Sequence, residues 1–75
     1  MEDIKTAFTR ARSSLLLKQP FFGTLCLRLG AEFTEDIETA ATNGEKLLIN
    51  PKFFLKQTAE QRVGLLAHEV MHCVY

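Results

Sequence analysis

His68, Glu69 and His72 are the residues of this chain whose types and spacing can do chemistry. They stand in the run His-Glu-Val-Met-His, and these two histidines are the only ones among the 75 residues. On a helix, positions i and i+4 stack one turn apart on one face, so two imidazoles placed there can grip a single metal ion. Neutral imidazole is a good ligand for zinc. Glu69 adjoins His68 and lies about 60° from His72 in helical projection. It therefore reaches a water beside the ion rather than the ion. Zinc lowers the pKa of its water to about 7, and a carboxylate so placed takes the proton as the water attacks a polarised carbonyl. The pattern assigns His68 and His72 as metal ligands and Glu69 as catalytic base. A catalytic zinc ordinarily has three protein ligands and an open fourth position, and the pentapeptide supplies two.

The flanks strengthen this reading. Leu65, Leu66 and Ala67 precede the run, Val70 and Met71 lie inside it, and Val74 follows. Glu69 is the only Asp, Glu, Lys or Arg between positions 63 and 75. Burying an unpaired carboxylate costs several kcal/mol, so a lone glutamate in such a helix has a job or a partner. The plainer reading makes both histidines ordinary surface residues near a helix C-terminus, where protonated imidazole is mildly stabilising. That reading leaves the apolar setting of Glu69 unexplained. Cys26 and Cys73 read as free thiols of a cytoplasmic chain. Cys73 is turned about 100° from His72 and is a poor third ligand.

The elements that must position these residues follow from periodicity and caps. A helix is expected from about Asp3 to Lys18, with Ile4, Ala7, Phe8, Ala11 and Leu15 as its apolar stripe. Gln19-Pro20 ends it, because the residue before proline avoids helical dihedrals. Phe21 and Phe22 then read as core anchors in a turn. Strict alternation of Leu25, Leu27, Leu29 and Ala31 with polar or small residues predicts a half-buried strand, roughly Thr24 to Glu32. The acidic run from Phe33 to Glu38 reads as a loop. Asn43-Gly44 signals a hairpin across Thr39 to Asn50, with a type I′ turn and a returning strand at Lys46 to Ile49. Asn50-Pro51 opens a short helix ending near Lys56. Thr58 to Gln61 is a capping box for the last helix. Val63, Leu66, Ala67, Val70, Met71 and Val74 form its expected core stripe. With Val63 at zero, that stripe centres near about 10°, with His68 at about 140° and His72 at about 180°. The result is an α+β fold, a small twisted antiparallel or mixed sheet packed against N-terminal and C-terminal helices.

Bulk properties narrow the function further. The length fits a single domain over residues 1–75. The composition is 47% hydrophobic with zero formal net charge, which is globular and lacks the basic surface that phosphate binding needs. Nucleic acid is not expected as the main ligand. No apolar run approaches the ~20 residues of a membrane span, and Met1-Glu2-Asp3 does not begin a signal peptide. A cytoplasmic location is expected. A domain this small buries only about 60% of its unfolded surface, so a metal, a partner or further chain is expected to contribute stability.

The run Thr39 to Gly44, then Leu48-Ile49-Asn50-Pro51-Lys52-Phe53-Phe54, then Leu65 to His72, resembles the N-terminal part of the zincin-like metallopeptidases. In bacteria and phages these often accompany a von Willebrand factor A-like domain. The likeness is good over residues 39–74 and loose before them. It implies a zincin core in which the metal helix lies beneath an edge strand that aligns an extended peptide by strand addition. The hairpin from Thr39 to Ile49 is the candidate edge. His68 and His72 match the family's metal ligands and Glu69 its catalytic base, with zinc as cofactor. Family members continue past the histidine helix, where a further ligand is expected, so this chain reads as truncated after that helix. Glu32, Glu35, Asp36 and Glu38 are upstream acids that could fold back, and an oligomer or completing chain could supply the missing ligand. The implied function is a zinc-dependent metallopeptidase acting on a peptide or protein. The alternative is a non-catalytic, zincin-derived module that binds a target protein, such as a phage or mobile-element inhibitor of a host defence complex. A regulatory or structural oligomer is a third reading.

Overall fold

The computed structural model describes residues 2–74. Helix α1 (Ile4–Lys18) buries Ala7, Phe8, Ala11 and Leu15, as its spacing predicts. Gln19 leaves helical space at φ −140°, ψ 82°, while its N–H still donates to the Leu15 carbonyl. Proline at position 20 imposes that departure on its predecessor.

Pro20 then starts a helix, not a turn. Helix α2 (Pro20–Arg28) replaces most of the strand expected over Thr24 to Glu32. A proline at the first helical position loses no hydrogen bond, since its N–H would be unpaired anyway. The decisive contact is Gly23, where a Cβ would lie 2.2 Å from the Leu16 Cα. The two helices therefore meet backbone to backbone. Gly23 and Cys26, three apart, are the buried residues of α2. Leu27, expected inside, is 49% exposed, and Cys26, expected on the wet face, is sealed. Phe21 is 63% exposed and is no core anchor, whereas Phe22 packs against the core.

Of the expected strand only its last part survives, as β1 (Gly30–Phe33). The hairpin forms as predicted, with β2 (Ala40–Thr42) antiparallel to β3 (Lys46–Ile49). Its turn is not type I′, because no described residue other than Gly44 (φ 90°) has a positive φ. Asn43 closes the turn with its side chain instead. Its Oδ1 accepts from the N–H groups of Glu45 (3.0 Å) and Lys46 (2.8 Å), an asparagine-built turn that needs no left-handed residue at that position.

The sheet is mixed, in the order β1-β3-β2, with β1 parallel to β3. Leu47 and Ile49 of the central strand are buried, and Phe33 on β1 meets Phe8 on α1 edge to face at 5.6 Å. Asn50 caps α3 (Pro51–Lys56) by accepting from the Phe53 N–H at 3.1 Å. Its Nδ2 also donates to the Ile37 carbonyl at 2.8 Å, anchoring the preceding loop.

Helix α4 (Ala59–Val74) begins with the expected capping box. Thr58 Oγ1 accepts from the Gln61 N–H at 3.1 Å, and Gln61 Oε1 accepts from the Thr58 N–H at 2.9 Å. Leu66 and Val70 are fully buried and Val63 and Ala67 partly so, but Met71 is 44% exposed. The sealed residues of the helix are Leu66, Glu69 and Val70, an arc rotated roughly 75° from the sequence stripe toward Glu69. Met71 is thereby carried out of the core. The Val74 side chain, also placed in that stripe, lies outside the described residues. Among the described residues, no helix is long and apolar enough to cross a membrane.

Candidate metal centre

The capping box and the buried arc together fix the rotation of α4, and the rotation aims the histidines. His68 and His72 are both exposed and one turn apart. Their Nε2 atoms lie 3.0 Å from each other, and their rings meet edge to face with centroids 4.5 Å apart and planes at 88°. Two imidazole nitrogens on one tetrahedral zinc would be about 3.3 Å apart, given zinc–nitrogen bonds of about 2.05 Å. The pair needs to open by only a few tenths of an ångström, and imidazole is a suitable donor for zinc and neighbouring divalent ions. The residues fit such an ion.

Glu69 completes the group. Its carboxylate oxygen and the two ring nitrogens all lie within 4.8 Å of one another. The residue is only 9% exposed. Among the described residues its carboxylate takes part in none of the side-chain hydrogen bonds or ion pairs, and no buried side-chain oxygen is left without a partner. Among the described residues its oxygens thus have no protein partner, and they reach solvent beside the histidines. A carboxylate in that setting is available to accept a proton from a water.

The upstream acids do not join the site. Glu32 pairs with Lys46 at 3.9 Å and Glu35 with Lys52 at 3.0 Å. Among the described residues the only group of three metal-binding side chains is His68, Glu69 and His72. Cys73 stands outside it, as its helical phase predicts, and both cysteines are free. Cys26 on α2 is fully buried in the core, and that burial raises its thiol pKa above 9.0 despite the opposing Arg12 charge.

A feature that sequence reasoning missed lies beside the histidines. β2 packs against α4, and Thr42 Oγ1 lies 3.0 Å from Cys73 Sγ, on the residue after His72. β2 pairs with β3 on one side only. The hairpin bonds from Asn43 N–H to Lys46 O and from Asn50 N–H to Thr39 O place the inward groups on Thr39, Ala41 and Asn43. By strand alternation the N–H and C=O of Ala40 and Thr42 face the open edge. No local signal at Thr42 predicts its partner, which is 31 residues away. A cleft of about 350 Å³ between α1 and α4 lies elsewhere, lined on α4 by Ala59, Glu60, Arg62 and Val63. The histidines thus form a ridge beside a sheet edge, away from that cleft.

A family model described as "Putative metallopeptidase domain" matches residues 4–75. The chain belongs to this family. Membership bears out the resemblance carried by the hairpin and the histidine helix. The match also takes in α1 and α2, where the sequence likeness was loose. No curated protein and no solved structure matches the chain.

Proposed function

We propose that this metallopeptidase-family domain is zinc-dependent, with His68 and His72 as ligands and Glu69 as general base toward a peptide or related amide. The observation that carries this is the convergence of both Nε2 atoms, 3.0 Å apart, with the Glu69 carboxylate in the same group. A divalent ion held there supplies Lewis acidity, acidifying water and polarising a carbonyl. The rest is done by the chain. The rigid helix holds two neutral imidazoles at fixed spacing. Glu69 takes a proton from water at a carboxylate oxygen and is suited to pass it to the departing amine. The outward N–H and C=O groups of Ala40 and Thr42 offer an extended peptide two bonded pairs of antiparallel pairing across three residues, which aligns it along α4. A further ligand comes from solvent, another segment or a completing chain.

The test is zinc titration of the purified chain followed by calorimetry. Wild type should bind one zinc per chain, and His68→Ala should weaken binding on the order of 100-fold. Equal affinity in the two proteins would end the proposal.

The open ridge favours one further reading, a non-catalytic module that binds a target protein through the same face. An inhibitor of this kind keeps its target when Glu69 becomes glutamine, whereas a hydrolase loses turnover.

A further inference from the structure

We infer that Thr42 is a positioning residue for the histidine pair, acting through Cys73. The inference rests on the metal-site reading above. A hydroxyl has one proton to donate and two lone pairs to accept with. Thr42 Oγ1 donates to the Lys46 carbonyl at 3.1 Å and accepts from the Gly44 N–H at 3.2 Å. Its proton is committed, so the 3.0 Å contact to Cys73 is filled by the thiol donating to Oγ1. All capacity of the hydroxyl is then used, and one side chain ties the hairpin turn, the returning strand and α4 together.

The tie sits where the metal site needs it. His72 lies in the last described turn of α4 and His68 one turn earlier. Side chains one turn apart keep their spacing only while the turn between them stays wound. Local loosening of that turn would carry His72 away from His68 and open the 3.0 Å nitrogen spacing. Cys73, the next residue, is pinned to the sheet by Thr42 and holds that turn wound. The same contact sets how the open edge of β2, with its outward Ala40 and Thr42 groups, stands against the histidines. Thr42 and Cys73 thus couple the edge to the metal ridge without touching the ion.

The experiment uses the full chain and cobalt(II), whose visible absorption reports affinity and ligand geometry. It compares wild type, His68→Ala, Thr42→Val, Thr42→Ser, Cys73→Ala and the Thr42→Val/Cys73→Ala double variant. Thr42→Val keeps the shape and removes the hydroxyl. Thr42→Val and Cys73→Ala should each weaken cobalt binding about threefold to tenfold, the fold-change that one net hydrogen bond carries. The double variant should be no weaker than Thr42→Val, since the contact that Cys73→Ala removes is already gone there. Thr42→Ser should restore wild-type binding. Iodoacetamide should alkylate Cys73 severalfold faster in Thr42→Val, while Cys26 stays protected by burial in every variant. The alkylation rates read the contact even if cobalt does not bind. If wild type binds no better than His68→Ala, the metal reading falls and the positioning role falls with it. If binding is His68-dependent but Thr42→Val matches wild type in affinity, spectrum and alkylation rate, the positioning role alone is overturned.

Discussion

Glu69 is the residue on which the proposed chemistry turns. It is nearly sealed, lacks a protein partner among the described residues, and stands beside two exposed imidazoles. Glu69→Gln keeps its shape and removes its basicity. Zinc affinity should change by no more than a few-fold, while peptide hydrolysis by the holo protein should fall at least about 100-fold, the usual scale of a general base. Turnover assays beside zinc titrations of the same preparation would check this, and retained turnover would remove Glu69 from the mechanism. Cys26 gives a second residue-scale prediction. Its folded pKa is raised above 9.0 by burial, so at high pH the unfolded chain loses a proton that the folded chain keeps. The contribution is fully present below pH 9 and is lost as pH rises through the folded value. Urea unfolding between pH 8 and 10 should show stability falling in wild type more steeply than in Cys26→Ala. Parallel slopes would mean that the thiol is not linked to folding.

At the scale of elements, the α1–α2 contact decides the N-terminal half. Leu16 Cα fills the space that a Gly23 side chain would take. Gly23→Ala cannot be absorbed by a rotamer change, because the opposing atoms are backbone. It should destabilise by about 3 kcal/mol or more, the range of severe overpacking, despite the higher helix propensity of alanine. Chemical denaturation measures this directly, and an unchanged midpoint would mean that α2 does not seat against α1 at this glycine. The hairpin, α3 and the start of α4 need no such contact. Each carries its own polar closure at Asn43, Asn50 and the Thr58–Gln61 pair, so their boundaries were readable locally.

For the molecule as a whole, Arg62 joins three separate segments. Its Nε and Nη2 donate to the Phe54 and Leu55 carbonyls at the end of α3, at 3.1 and 3.0 Å. Its Nη1 meets Glu2 Oε1 at 2.8 Å, and its guanidinium stacks over Phe54. The side chain is 13% exposed, so these bonds are largely shielded from water. Arg62→Met keeps the apolar stem and deletes the donors. It should cost about 2–3 kcal/mol, because two helix-end carbonyls lose their partners. Thermal unfolding should show it, and a shift within experimental error would mean that solvent satisfies those carbonyls. The histidines lie at the far end of α4, so zinc binding by the folded variant should be unaffected.

Spacing and caps were enough to read the histidine pair, both β2 and β3, α3 and the start of α4, because each depends on residues within a few positions of one another. The same local logic failed over Pro20 to Leu29, where alternating leucines satisfy a strand pattern and Gly23 and Cys26 satisfy a helical one. The packing of α1 against Gly23 resolved that ambiguity, and it joins residues that no periodicity links. Rotation of the α4 buried arc toward Glu69, exposure of Met71 and the meeting of Thr42 with Cys73 were likewise set by neighbours distant in sequence. Local dihedral preferences choose where an element starts and stops, but the face it buries depends on what the rest of the chain packs against it.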